Sequence, residues 1–375
     1  MIIGVITFWF GNSNYGMILQ CWALQTYLKR LGNNAYLIRY IPPIVESRRN
    51  KILRILGILN IYNKWINKNR KFEINNERRD FNYFRNNFLS FSPLLYKSLK
   101  ELQNNPPKAD CYITGSDQVW AQLLSNENNQ SYFLDFGSES TKRIAYAPSF
   151  SMNNYPEELR GILYENLKRF TAISVREYEG INICSSVGIN AQKVVDPTLL
   201  LNKEDYLKLC QNVAVGNEKT IFIYSLNLSS PNDIRFDELD LFIKNQYTAI
   251  VTPSDGYFPG EEIFPSTVKY IYSTPQEWIA QIRDAEMVIT PSFHGVVLSI
   301  ILERPFVYVP LTGKYSKGNN RILELLRDLN MENRVLSDDH PYSYYFNSKI
   351  DWSDVSIRLD KYRCSSIDFL EKNLK

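Results

Sequence analysis

Histidine is nearly missing from this chain: His294 is one of only two in 375 residues. With no carboxylate–histidine cluster there is no recognisable ligand set for a metal, and neither a metal nor a cofactor is expected. The five cysteines, Cys21, Cys111, Cys184, Cys210 and Cys364, are scattered, odd in number and without a C-x-x-C pair. That excludes a disulfide framework or a zinc ribbon and fits a reducing cytoplasm. Long hydrophobic runs are lacking too, since no stretch offers the roughly twenty unbroken apolar residues of a membrane span. Met1 to Phe8 is short, apolar and free of a basic leader, so no signal peptide is expected. No glycine run has the three-glycine spacing of a dinucleotide fingerprint. Net charge is only +3, which does not point to nucleic acid.

What is present is globular: 44% hydrophobic against 22% charged residues, in a length that suits two domains with a cleft between them. The 25 Tyr and 20 Phe suit a carbohydrate-handling surface but are first read as core and interface packing. Charge is uneven. From Glu46 to Ser90 there are eleven Lys and Arg against four Asp and Glu, so the rest of the chain is net negative. Within that segment Ile52 to Lys71 carries an apolar stripe with Trp65 opposite basic residues. Such a stripe either packs on its own domain or, over 48–71, lies on an anionic membrane face, which would make a cytoplasmic protein peripheral at the inner leaflet.

Short apolar strands that end in polar turns recur along the chain. Ile2 to Phe8 runs into WFGNSNYG (Trp9 to Gly16) and a helix from about Met17 to Leu31, and Ala35 to Tyr40 gives the second strand. Asp110 to Thr114 ends in Gly115-Ser116-Asp117, Arg143 to Ala147 in Pro148-Ser149, Ala172 to Val175 in Arg176-Glu177, and Lys193 to Val195 in Asp196-Pro197-Thr198. A helix and polar link over Asn202 to Asn217 mark a boundary. A second series follows at Thr220 to Tyr224, Thr248 to Val251, Val268 to Ile271, Met287 to Thr290 and Phe306 to Val309, with helices near Asp237 to Asn245, Pro275 to Asp284 and Asn319 to Leu329. Alternation of this kind predicts an α/β protein of two parallel-sheet domains, 1–213 (with a basic helical insertion at about 46–90) and 218–350. A helix within 351–375 is expected to fold back on the first domain.

The stretch from Met287 to Val309, MVITPSFHGVVLSIILERPFVYV, organises the rest. A buried strand stops at Pro291 and Ser292, and an apolar helix resumes by Val296. Turns of this type sit at the carboxyl edge of an α/β sheet, where a helix N-terminus can hold an anion. His294 stands at that turn, with a side chain whose ordinary pKa is nearest neutrality. It is a candidate proton-transfer group or a capping histidine. Arg176 has the planar fork that suits phosphate or carboxylate, or it pairs with Glu177. Ser116 and Asp117 cap a helix or face the cleft, and Asp196 before Pro197 reads as a turn-stabiliser.

Taken together, Asn14-Tyr15-Gly16 with Leu19-Gln20 and Ala23-Leu24-Gln25, Gly115-Ser116-Asp117-Gln118-Val119-Trp120, Tyr146-Ala147-Pro148-Ser149-Phe150, Ser174-Val175-Arg176-Glu177, Asp196-Pro197-Thr198-Leu199-Leu200 and Ser292-Phe293-His294-Gly295 resemble the polysaccharide pyruvyl transferase family. The motifs follow the family's order from Ile2 to about Leu329. The resemblance implies two Rossmann-like domains in a GT-B-like arrangement with the active site in the cleft between them. It also implies transfer of pyruvate from phosphoenolpyruvate to two hydroxyls of a sugar, as a ketal on a capsule, exopolysaccharide or other cell-surface glycan, whose acceptor can be free or lipid-linked. His294 matches the family's histidine and is assigned the proton transfer, with Asp117 as base or as orienting carboxylate for His294. Arg176 is assigned to the donor anion. Where the family's better-known pattern has an arginine two residues before the histidine, this chain has Ser292. The missing contact is left to the backbone after Ser292, to Asn14, or to Lys314, Lys317 or Arg321. Tyr15, Gly16, Gly115, Ser116 and Gly295 are expected on loops that line the cleft. A GT-B glycosyltransferase using a sugar nucleotide and a non-catalytic glycan-assembly protein are the alternatives.

Overall fold

A computed structural model describes residues 1–43, 77–121, 123–214, 216, 218–254 and 262–375. The expected stripe at Ile52 to Lys71, with its membrane contact, lies outside the described residues. The first unit is a seven-stranded parallel sheet in the order β3-β2-β1-β4-β5-β6-β7. Its strands are β1 (Ile2–Ile6), β2 (Asn34–Tyr40), β3 (Phe91–Tyr96), β4 (Cys111–Thr114), β5 (Lys142–Ala145), β6 (Ala172–Val175) and β7 (Gln192–Lys193). The second unit is a five-stranded parallel sheet in the order β10-β9-β8-β11-β12, from β8 (Thr220–Ser225), β9 (Thr248–Pro253), β10 (Lys269–Tyr270), β11 (Met287–Thr290) and β12 (Phe306–Tyr308). Both units are Rossmann-like, and they meet along a seam.

Parallel strands covered on both faces need apolar side chains on both, so β4, β8 and β11 are buried throughout and read in sequence as continuous apolar runs. Helix α1 (Tyr15–Arg30) is buried over nearly its whole length, because one side covers the first sheet and the other meets helices Pro275–Asp284 and Phe293–Ile301 of the second unit. Five strands are shorter than their apolar runs: Phe8, Tyr146, Ala147, Val194, Val195, Val268, Ile271 and Val309 fall outside the ladders. Ala147, at φ +56, has turned into the left-handed region where a strand cannot continue. The edge strand β3 is absent from the expectation. Only Ser92 and Tyr96 in it are buried, so its pattern gives no strand period.

The seam is apolar and aromatic. Tyr15 stacks on Trp278 with centroids 5.1 Å apart at 5°, and the edge of Tyr224 completes the group. The Tyr15 hydroxyl donates to the Ser273 carbonyl at 2.6 Å, and buried Arg79 donates both to that hydroxyl at 2.7 Å and to the Pro253 carbonyl at 2.5 Å. One cation of the first unit is thereby tied to the backbone of the second. The C-terminal helix Trp352–Leu374 runs back across the first unit: Arg363 donates to the carbonyls of Leu199 and Leu201, and Ser366 Oγ accepts from the Val195 amide at 2.9 Å.

Among the described residues no helix is long and apolar enough to cross a membrane. All five cysteines are free, and four are buried.

Replacing a fully buried tryptophan at this seam removes both its own apolar surface and the stacking partner of Tyr15. Trp278→Ala is expected to cost about 3–5 kcal/mol in urea unfolding. A cost below about 1 kcal/mol would show that the seam does not depend on this stack.

Candidate functional site

Both sheets reverse strand order in the same way, between β1 and β4 in the first and between β8 and β11 in the second. Those switch points open crevices at the carboxyl ends of the strands, and here the two crevices face each other. From the first unit come the start of α1 after β1, the turn after β4, Arg176 after β6 and Asp196 after β7. The second unit supplies Phe293 and His294 after β11. Residues separated by up to 280 positions thus meet in one place.

The meeting point is the Asp196 carboxylate. It is 1% exposed. Its Oδ2 accepts from Ser116 Oγ at 2.8 Å and from Arg176 Nη1 at 3.1 Å. Oδ1 accepts from the Thr198 amide at 3.0 Å and from Thr198 Oγ1 at 2.7 Å, and lies 3.6 Å from His294 Nε2. Burial alone would raise the pKa of this carboxyl, but His294, Arg176 and the Thr198 bonds outweigh it and hold the group well below the usual carboxylate range. A buried charge is tolerated here because several donors converge on it.

His294 is held on two sides. An added Cβ on Gly16 would lie 1.9 Å from His294 Nδ1, so the first turn of α1 presses directly against the ring, and only glycine permits that approach. The imidazole keeps 11% of its side-chain surface exposed, and Nε2 makes no hydrogen bond among the described residues. At 3.6 Å the Asp196 contact is an ion-pair distance rather than a hydrogen bond. Nε2 is itself buried and faces the Asp196 carboxylate.

Next to His294 the Phe293 ring has the Arg176 guanidinium over it at 5.1 Å and that of Arg321 at 5.5 Å. Arg176 also lies 3.6 Å from Glu177 Oε2, so the anticipated Arg176–Glu177 pair exists alongside the contact with Asp196. Glu177 accepts in turn from Ser149 Oγ. Arg321, half-buried at the start of helix Asn320–Asp328, is lowered to about 10, first by burial and then by the charge of Arg176. At neutral pH it is still a cation.

The remaining sequence candidates fall into distinct places. Asp117 lies in the left-handed region at φ +76, and its Oδ1 accepts from the Gln118 amide at 2.8 Å. The carboxylate that faces His294 is Asp196, not Asp117. Besides stabilising its turn, Asp196 joins the groups that matter most, a role its position before a proline conceals. Ser292 caps helix Phe293–Ile301, accepting from the Gly295 amide at 3.3 Å, and Asn14 caps α1, accepting from the Met17 amide at 3.0 Å. Lys314 and Lys317 belong to the 3-10 helix Gly313–Asn319. Three residues expected on cleft loops are placed otherwise. Tyr15 is sealed in the aromatic seam, Gly115 faces Thr7, Val5 and Leu24, and Gly295 lets its helix close on Thr290, 2.7 Å from where a Cβ would stand. Ser116 and Gly16 adjoin the site, through Asp196 and His294. Sequence reading missed the Ser116–Asp196–Thr198 network. The one available signal was that Asp196-Pro197-Thr198 ends a strand on the same edge as the other motifs. Among the described residues no group of three or more His, Cys, Asp or Glu could hold a metal ion.

By sequence, the family described as polysaccharide pyruvyl transferase matches residues 14–313. No protein of curated function matches the chain. Among solved structures, the chain is similar to a UDP-GlcNAc 2-epimerase from Neisseria meningitidis bound to UDP-GlcNAc, at 10% identity and a TM-score of 0.48 over 99% of each chain. It is also similar to the UDP-GlcNAc 2-epimerase of Methanocaldococcus jannaschii, at 12% identity and 0.48 over 97% of this chain and 94% of that one. An alpha-glucosyltransferase in complex with UDP and DNA gives 10% and 0.49 over 99% and 98%.

Two substitutions test this geometry. Gly16→Ala is expected to displace the His294 ring, read as a shift of its imidazole resonances by NMR. Gly161→Ala, where nothing lies within 4 Å of the new methyl, leaves them in place. Asp196→Asn strands a buried guanidinium and should cost about 3–5 kcal/mol in urea unfolding at pH 7. Because the folded-state pKa of Asp196 is depressed, its contribution is complete above the ordinary carboxylate value of about 3.9 and is lost as pH falls further. The gap between parent and variant therefore narrows below about pH 4, and a gap independent of pH would contradict the charge assignment.

Proposed function

Since the chain belongs to the polysaccharide pyruvyl transferase family, a family of transferases, we propose that it moves pyruvate from phosphoenolpyruvate onto a hydroxyl pair of a sugar in a cell-surface glycan, as a cyclic ketal. The observation that carries this reading is that one buried carboxylate, Asp196, stands between the imidazole of His294 and the guanidinium of Arg176 at the seam.

Ketal transfer from an enol phosphate needs an acid for the methylene carbon, cations for the phosphate and carboxylate, and a group to receive the proton of the attacking hydroxyl. His294 supplies the acid. Its ring is fixed by Gly16 on the Nδ1 side and by Asp196 beside the buried Nε2. As positive character develops at the carbon that carries the phosphate, one sugar hydroxyl adds. Phosphate then leaves, and the second hydroxyl closes the ring. Arg176 keeps Nε and Nη2 without hydrogen-bond partners among the described residues, so its fork can take a donor anion while Nη1 stays on Asp196. Asp117 is the group proposed to receive the hydroxyl proton: its Oδ1 is engaged by the backbone, and its charge acts on both Arg176 and Arg321. Asp196 acts through His294 and Arg176 as a positioning residue. Such chemistry on a glycan precursor suits a cytoplasmic site, with the acceptor free or carried on lipid.

Incubated with phosphoenolpyruvate and a panel of methyl hexopyranosides, the protein is expected to release phosphate and add a carboxyethylidene unit to a sugar, detected by mass spectrometry. His294→Ala and Arg176→Ala should each lower the rate about 100-fold or more. Turnover of a sugar nucleotide in place of phosphoenolpyruvate would overturn the proposal.

A further inference from the structure

Across the seam two guanidiniums approach one aromatic ring from different units: Arg176 follows β6 in the first, and Phe293 and Arg321 belong to the second. Like charges at such range repel, and the lowering of Arg321 is partly the work of Arg176. Of the nearby carboxylates only Asp196 hydrogen-bonds to either cation, through one nitrogen of Arg176, and Glu177 Oε2 stands 3.6 Å from Arg176 Nε. Asp196 uses its oxygens on Ser116, Thr198 and one nitrogen of Arg176, Glu177 receives Ser149, and Asp117 receives the Gln118 amide. Arg176 Nε and Nη2 and Arg321 Nε are buried without hydrogen-bond partners among the described residues, although Arg176 is only 5% exposed. Donors left unmade at that depth are costly, and a tetrahedral oxyanion placed between two forks would satisfy them together.

Arg321 is not free to swing away. Its helix is tied to the first unit by Lys193, which bridges to Glu324 at 3.1 Å and Asp328 at 3.2 Å, and by Asn320 Nδ2, which donates to Glu179 at 3.2 Å. The two cations are therefore held near each other by contacts that do not involve either of them.

We propose that Arg321 and Arg176 share one phosphate-type anion across the seam, and that this anion latches the two units together. The inference rests on the donor reading above for the source of the anion, the phosphate of phosphoenolpyruvate, while the latch itself requires only the oxyanion. It also gives Arg321 the work of the arginine that Ser292 replaces. Empty, the two forks leave buried donors unmet; occupied, the anion bridges the units.

The sign of the effect on stability separates this from a packing role. Inorganic phosphate is the probe, with affinity read by calorimetry and Tm by thermal unfolding of the full chain. Arg321→Gln is expected to weaken phosphate binding roughly tenfold or more, to abolish the phosphate-induced rise in Tm, and to leave the Tm without phosphate equal to or above that of the parent. Arg321→Lys, which keeps the charge but loses the fork, should fall between, and it serves if the glutamine variant does not fold. Arg327→Gln, exposed on the same helix, changes neither quantity. Phosphate affinity within twofold of the parent in Arg321→Gln, or a lowered Tm without phosphate together with intact binding, would overturn the latch. Phosphate binding that depends on Arg321 in a protein that does not bind phosphoenolpyruvate would leave the latch standing and remove the donor reading; phosphoenolpyruvate binding indifferent to Arg321 would do the reverse.

Discussion

A single buried carboxylate sets the terms for this molecule. Asp196 cannot stay ionised in the interior without compensation, and the compensation comes from four places in the chain: Ser116 after β4, Arg176 after β6, Thr198 in its own turn, and His294 from the other unit. Satisfying one charge therefore fixes the relative positions of three loops of the first sheet and one of the second. The proton-transfer candidate and the anion-binding candidate are neighbours because both answer to the same oxygen pair.

Around this centre the seam is built in two styles. On one side it is apolar and aromatic, with Tyr15, Trp278 and Tyr224 stacked and Arg79 tied to the Pro253 carbonyl. Burial there supplies non-directional adhesion. Near His294 and Phe293 it is polar, with directional contacts and unused guanidinium hydrogens. The aromatic part can hold the units together while the polar part remains available to a ligand. The contact of Gly16 with the imidazole joins the two parts, since the turn that sends Tyr15 into the stack also presents the glycine to His294.

Much of this was legible in the sequence. Continuous apolar runs ending in polar turns gave the two parallel sheets, and the rarity of histidine singled out His294. Helix Pro275–Asp284 was placed to the residue, because Thr274, Pro275 and Glu277 form a capping box with proline at the first helical position. Other features left no local trace. Strand β3 shows no period because most of its side chains face away from the core. Arg79 looks like one more charge in a basic segment, yet it is buried between the units, and nothing within a few residues of it reports that. Asp196 looked like a turn residue and is one, accepting from the Thr198 amide; its second duty depends on residues 80 positions earlier and 98 later. Tyr15 was expected on an open loop and is closed in the seam, since the partner that covers it lies in the other unit. What stayed hidden is what tertiary contact decides.

The account stands or falls on whether His294 and Arg176 address the same small molecule. The most direct measurement is a crystal structure of the chain with phosphoenolpyruvate bound. It should show the phosphate on Arg176 and the methylene carbon facing Nε2 of His294, with Asp196 still bonded to Ser116 and Thr198. Donor bound elsewhere, or bound with the imidazole out of reach of its methylene carbon, would contradict the account.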